Sequence, residues 1–207
     1  MTDYDAIIPA ARDFYARLNA DNTKAWWQEY KPEYDTRLKA PALALIDDIA
    51  GELQAIYGDP FKGKIFRPHR DVRFSKDKRP YNTHLHMLWS MADLTNGPGW
   101  FFGVSPDYMR IGWGWMGFTS EQVSAWRDAV VFTKIPALIG QMGGTLSEPE
   151  LKRIPSGFEK DHPQGEHLRR KSLALWVDGI DTNIRGQIVS HFKAVQAVHR
   201  ELTPLLT

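Results

Sequence analysis

The hydrophobic pattern of this chain changes its period once, near residue 60, and that change restricts the class of fold. Up to Tyr57, apolar residues recur every three or four positions, as in amphipathic helices, and Pro32 and Pro41 divide this part into successive helices. From Thr83 to Trp115, apolar residues alternate with other residues, as in half-buried strands. Helices return after this block, together with one late strand. The order predicts an α+β fold, with helices packed on one face of a mostly antiparallel sheet.

The clearest strand pair is an aromatic hairpin, Trp100–Ser105 and Tyr108–Trp115, joined by a short turn. Large apolar side chains share one face of its second strand: Met109, Ile111, Trp113 and Trp115. Arg110, Gly112 and Gly114 share the other face, so we expect a groove with few side chains beside an arginine. Glycine within a strand is typical of a bulge or of a close approach by another backbone or a ligand.

Three later segments carry local signals. Thr119–Gln122 has the spacing of a capping box, Ser172–Val177 is a short strand candidate, and Asp181–Thr182 precede a final helix. The segment Leu151–Pro163 is basic and loop-like. A length of 207 residues without an internal repeat or a linker predicts one domain, residues 1–207.

Positive charge is concentrated in one short window. Eight Lys or Arg and two Asp lie between Lys62 and Arg79, a local charge of +6 in a chain whose net charge is +1, so the rest carries −5. Guanidinium groups suit phosphate and carboxylate. The window 67–79 therefore predicts binding of a small anionic or phosphorylated ligand. The candidate ligand-binding residues are charged side chains of this window and of the hairpin: Arg67, Arg70, Asp71, Arg73, Lys76, Lys78 and Arg110.

An extended conformation of the window has a consequence that can be checked. If Ile65–Phe74 is a strand, Arg67 and Arg73 share one face, and Arg70 lies on the apolar side, where it needs a partner. A second hypothesis is that these arginines pair with acids elsewhere in the chain. The window would then be the salt-bridged basic face of a structural module, or of one that docks an acidic protein.

Two histidines suggest chemistry of other kinds. His84 and His86 share a strand face and are metal-ligand candidates, with a third ligand from Asp71, Asp161 or His162. A hydrolase-type enzyme for a small molecule would use His84 with a nearby carboxylate, and Asp71 and His84 are the catalytic candidates. We expect neighbouring arginines to lower the pKa of Asp71, which suits an orienting carboxylate better than a general acid. The chain has no nucleophile motif.

Composition excludes several classes of function. The absence of cysteine excludes disulfides, thiol nucleophiles and thiolate metal sites, and no P-loop or dinucleotide loop is present. The sequence shows no signal peptide and no apolar run long enough for a membrane span, which predicts a cytoplasmic protein. A net charge near zero argues against a general nucleic-acid partner. We expect no obligatory metal or organic cofactor, and the oligomeric state stays open.

Several segments together resemble one known family. The phrases FRPHRDVRFSKDKRPYNTH (66–84) and LKRIPSGFEKDHP (151–163) resemble signature segments of DUF2461, a family of conserved hypothetical proteins of bacteria and fungi. The segment LNADNTKAWWQEYKPEYDTRLKAP (18–41) and the hairpin end GWGWM are similar to that family too. The resemblance spans nearly the whole chain and implies no established activity. This chain departs from the family pattern at Pro68, His69 and Asn82, where isoleucine, tyrosine and lysine are expected.

Overall fold

The computed structural model describes residues 4–179 and 182–207, and it confirms the predicted α+β class. The helices in these ranges are α1 (Ile7–Ala20), α2 (Lys24–Glu33), α3 (Ala40–Tyr57), α4 (Ser120–Phe132), α5 (Ile135–Gln141), α6 (Gly165–Leu168), α7 (Ile184–Ala194) and α8 (Gln196–Leu206). The strands are β1 (Phe61–Ile65), β2 (Leu85–Met91), β3 (Gly99–Val104), β4 (Met109–Trp115), β5 (Thr145–Leu146) and β6 (Leu173–Asp178).

Within the described residues, these six strands form one antiparallel sheet in the order β1-β2-β3-β4-β6-β5. The predicted aromatic hairpin is β3 and β4, and the late strand candidate is β6. β6 pairs with β4 and places Trp176 opposite Gly112. The sheet therefore joins the hairpin to a segment that lies about sixty residues later in the chain.

One face of the sheet is the core of the protein. Four tryptophans on this face are at most 2% exposed: Trp89, Trp100, Trp113 and Trp115. The Trp89 indole donates to the Ile46 carbonyl in α3 at 2.9 Å, and the Trp100 indole donates to the Tyr57 hydroxyl at 3.2 Å. Because the helices pack on this face, the side chains of the opposite face lie toward solvent and are available for a site.

The successive helices predicted from Pro32 and Pro41 are present as α2, which ends at Glu33, and α3, which begins at Ala40, but no break in the helical backbone separates them. The backbone stays helical from Lys24 to Tyr57, because a π-helical segment, Tyr34–Lys39, joins α2 to α3. In this segment the Ala40 amide donates to a carbonyl five residues back. The Thr36 hydroxyl donates to the Pro32 carbonyl at 2.9 Å.

The C-terminal region contains two helices where one was expected. α7 and α8 meet at Val195, and the predicted apolar stripe along them is buried: Ile184, Ile188, Phe192, Val195 and Leu202. Asn183 caps α7, because its side-chain oxygen accepts from the Gly186 amide at 3.3 Å. Asp181, part of the predicted cap, lies outside the described residues. The predicted capping box at Thr119–Gln122 is confirmed. No helix in residues 4–179 and 182–207 is long and apolar enough to cross a membrane.

Candidate ligand-binding site

The basic window forms a loop that leaves the sheet, which we call the basic excursion (66–84). The extended segment expected over Ile65–Phe74, an edge strand or one interrupted at Pro68, is interrupted: β1 ends at Ile65 and the chain then turns away. A single bridge between His69 and Tyr81 closes the excursion, with the Arg70 amide donating to the Pro80 carbonyl at 2.8 Å. Phe74, near its tip, is 95% exposed. Pro68 has no N–H to donate to a neighbouring strand, which explains why the regular pairing of β1 does not continue beyond Ile65.

The base of the excursion is fixed to α2. The Tyr81 ring stacks on the Trp27 ring with centroids 4.6 Å apart, and Tyr81 is only 5% exposed. The Asn22 side chain donates to the Tyr81 carbonyl at 3.0 Å and accepts from the Tyr81 amide at 3.1 Å. These contacts hold the excursion in one place relative to the helices.

The arginines of the excursion pair mainly with its own aspartates. Arg73 forms an ion pair with Asp71 at 2.6 Å, and Arg70 and Arg79 share Asp77 at 2.8 and 2.9 Å. The hydrogen bond from Arg73 holds the pKa of Asp71 below its ordinary value, as predicted, and the hydrogen bonds from Arg79 and Arg70 lower the pKa of Asp77. Both aspartates are therefore charged at neutral pH and orient the guanidinium groups.

Three cations of the excursion make no ion pair with the described residues: Arg67, Lys76 and Lys78. The Lys78 ammonium donates instead to the Val72 carbonyl at 3.1 Å. The structure thus divides the predicted ligand-binding residues into a paired group and an unpaired group. Of the predicted set, Arg70 lines a hollow formed by the described residues.

The excursion contains a small polar hollow of about 240 Å³. The residues that line it are Arg70, Asp77, Arg79, Tyr81, Asn82, Thr83 and His84. Two guanidinium groups face one carboxylate here, so the hollow keeps an excess of one positive charge. An anion the size of a carboxylate or a phosphate fits the volume and the sign of this charge.

The open face of the sheet carries an apolar groove of about 390 Å³. Its walls are large side chains: Phe66, His86, Leu88, Phe101, Met116 and Trp176. Its floor includes Gly112 and Gly114, the face that the sequence predicted to be nearly free of side chains. The Trp176 ring lies directly over Gly112, since a Cβ there would overlap the ring, with Trp176 Cε3 only 2.5 Å away. Phe66 brings the start of the excursion to the groove.

Arg110 lies on the same face of the sheet and is neutralised there. Its Nε donates to Asp178 Oδ1 at 2.7 Å, and its guanidinium carbon lies 5.4 Å from the centre of the Trp176 ring. The structure places Arg110 beside the aromatic wall, although it is not among the residues that line the groove.

Two stacked histidines connect the groove to the hollow. The rings of His84 and His86 lie 3.6 Å apart at an angle of 14°, with His86 in the groove wall and His84 in the hollow. His86 Nε2 is 2.5 Å from the Tyr108 hydroxyl. Burial and then the proximity of His84 lower the pKa of His86 to about 3, and burial lowers the pKa of His84. Both rings are therefore neutral at pH 7.

Of the two catalytic candidates, His84 lines the hollow, whereas Asp71 is not among the residues that line it. Asp71 pairs with Arg73, and Asp77 is the carboxylate that shares the hollow with His84. The lowered pKa of Asp77 makes it a weak proton acceptor. Nowhere in the described part of the chain do three His, Cys, Asp or Glu side chains group as metal ligands. His162 Nδ1 accepts a hydrogen bond from the Gln164 amide at 3.0 Å.

The sequence did not indicate the aromatic walls of the groove as site residues. Strand alternation alone places Phe101 and Trp176 on one face of their own strands. Only the pairing of β3 with β4 and of β4 with β6 places both beside Gly112. Such pairing over a long distance in sequence leaves no local signal.

Two comparisons with known proteins complete the description of the site. The family model described as "Conserved hypothetical protein (DUF2461)" matches residues 10–207. No curated protein matches the chain.

Proposed function

The chain belongs to the DUF2461 family of conserved hypothetical proteins, and we propose that it binds a small ligand in which an apolar ring carries an anionic group. The observation that supports this proposal is the stacked pair of His84 and His86, which stands between an apolar groove and a hollow lined by guanidinium groups. The proposal keeps the anionic ligand predicted from the basic window. It adds an apolar part to that ligand and assigns its anionic group to the hollow.

The groove favours a ring system. Pockets for small molecules are commonly a few hundred cubic ångströms, with apolar and aromatic walls and a few polar groups. A volume of about 390 Å³ between Phe66, Phe101 and Trp176 has this size and character. Aromatic rings pack in offset or edge-on arrangements against such walls. A flat ring can lie between these side chains on the open face of the sheet.

The hollow favours the anionic group. Arg70 and Arg79 present guanidinium donors, and their shared partner Asp77 cancels only one of the two charges. Charge-assisted hydrogen bonds from arginine to phosphate or carboxylate are among the strong polar contacts in proteins. Since His84 and His86 are neutral, they neither repel the ring nor compete for the anion.

Three probes test the proposal directly: 1-naphthyl phosphate, which has both parts, 1-naphthol, which has the ring alone, and inorganic phosphate. Binding is measured by quenching of tryptophan fluorescence at constant ionic strength. We expect 1-naphthyl phosphate to bind at least about tenfold more tightly than either partial probe, because one charge-assisted contact is enough to raise the affinity by about that factor. Equal affinities for 1-naphthol and 1-naphthyl phosphate would show that the hollow takes no part.

Variants separate the two parts of the site. We expect Trp176→Ala to weaken binding of both aromatic probes, because it removes a wall of the groove. Arg70→Ala should weaken binding of 1-naphthyl phosphate and leave 1-naphthol unchanged. Arg73→Ala is the matched control, because this arginine lies in the same excursion but is 77% exposed and pairs with Asp71. The proposal is wrong if Arg73→Ala weakens 1-naphthyl phosphate as strongly as Arg70→Ala does.

A further inference from the structure

A second, larger cavity lies in a part of the chain that the ligand-binding site does not use. It has a volume of about 590 Å³, and four cationic side chains line it: Lys152, Arg153, Lys160 and Arg169. The first three belong to the loop 151–163, and Arg169 directly follows α6. This loop is basic in sequence, but sequence alone assigns no site to it.

Contacts between the loop and α6 build the cavity. The Leu151 amide donates to the Arg169 carbonyl at 3.0 Å, which joins the two sides. Ile154 packs against Gly165, where an added Cβ would lie 2.7 Å from the end of the Ile154 side chain. Gly165 therefore lets the loop lie close to the short helix. The cationic side chains are held around one space by backbone and apolar contacts.

The charge of this cavity is largely uncompensated. Its four cations form no ion pair with the residues that the structure describes. The one acid that lines it, Glu166, is paired at 2.5 Å with Arg170, whose side chain is only 2% exposed. Arg170 also donates to the Ser147 carbonyl. A buried arginine thus neutralises the acid from the interior, and the four cations of the wall remain.

We propose that this cavity binds a compact anion with at least two phosphate groups. Four cationic side chains around one space match several phosphate oxygens better than a single carboxylate. Ile154 is the large apolar side chain of the wall, and the lining has no aromatic ring for a base or another ring system. The cavity therefore suits a ligand with several closely spaced phosphate groups, whereas the groove on the sheet suits an aromatic ring.

The test uses inorganic tripolyphosphate and the full-length chain, by isothermal titration calorimetry at low ionic strength. We expect binding that is tighter than for pyrophosphate and much tighter than for orthophosphate. Arg153→Ala and Lys152→Ala should each lower the affinity for tripolyphosphate by about tenfold, because each removes one charge-assisted contact. Lys171→Ala is the matched control, because this exposed lysine is close in sequence but does not line the cavity.

Three further ligands identify the kind of molecule that carries the phosphates. Inositol hexakisphosphate, linear polyphosphate and adenosine triphosphate distinguish a phosphorylated polyol, a polymer and a nucleotide tail. Absence of tripolyphosphate binding, or equal binding by the folded Arg153→Ala and Lys152→Ala variants, overturns the proposal. The proposal is also wrong if a short oligonucleotide binds more tightly than tripolyphosphate and the two variants abolish that binding, since this result indicates a nucleic-acid surface. Trp176→Ala should leave tripolyphosphate binding unchanged, which keeps this site independent of the groove.

Discussion

Replacing Gly114 by alanine tests the closest approach between two strands of the sheet. Gly114 has a φ of +139°, a backbone conformation that residues with a side chain rarely adopt. A Cβ at this position would lie 2.7 Å from the Leu173 carbonyl carbon and closer still to its oxygen. Both are backbone atoms of β6, so no side-chain rotation relieves the overlap. The strands must move apart, or the backbone of Gly114 must change.

The expected loss of stability has two parts. A side chain at such a φ strains the backbone by about 1–3 kcal/mol. Moving β4 away from β6 weakens backbone hydrogen bonds, each worth about 1 kcal/mol, and disturbs the buried side chains of Trp113 and Trp115. Together these effects lower the free energy of unfolding by about 3–5 kcal/mol. That is a large part of the 5–15 kcal/mol or so that stabilises a typical domain.

Urea unfolding followed by tryptophan fluorescence measures this loss. Gly117→Ala is the matched control, because it is three residues away, its φ is not positive, and nothing lies within 4 Å of its Cβ position. We expect the control to stay within about 0.5 kcal/mol of the wild type, as for most surface substitutions. If Gly114→Ala also stays within that limit, the close approach of the strands does not exist and the argument fails.

Three further substitutions test other parts of the structure. Gly112→Ala should displace the Trp176 ring and weaken 1-naphthyl phosphate in fluorescence titrations, at a smaller loss of stability than Gly114→Ala; unchanged affinity would contradict it. Burial lowers the pKa of His199 from 6.5 to about 4, so the unfolded chain takes up a proton first and stability is lost as the pH falls from about 6.5 to 4. In urea titrations His199→Phe should flatten this dependence, and an equal slope would refute it. Arg170→Met should cost about 1–3 kcal/mol of unfolding free energy, because it leaves the partly buried Ser147 carbonyl without its donor; no loss in denaturation would count against this.

Much of the sheet could be predicted from sequence, because its signals are local. The alternation of β2 makes Leu85, Met87 and Trp89 buried, while His84 and His86 share the other face. The two strands of the aromatic hairpin end within one residue of the predicted limits. In each case the period of the side chains alone determines which face enters the core.

The conformation of the basic window could not be predicted in this way. Alternating charges suggested a strand, but the chain forms an excursion in which Arg73 pairs with an aspartate two residues away and Arg70 with one seven residues away. Residues two apart can also pair on one face of a strand, but the pair seven residues apart requires a folded loop, and no periodic pattern encodes it. The window supplies its own acids, Asp71 and Asp77, and both are already counted in its local charge of +6. What the sequence could not show is which cations these two acids hold.

The two glycines of β4 carry different requirements, although they lie two residues apart on the same face. Gly114 is required by the backbone, since β6 approaches it too closely for any Cβ. Gly112 is restricted by a side chain, because the Trp176 ring lies over it and forms a wall of the groove. A Cβ at Gly112 meets chiefly the Trp176 ring, a side chain that can move, so we expect its main effect on the groove. The substitution at Gly114 therefore tests the fold, whereas the substitution at Gly112 tests the binding site that the fold supports.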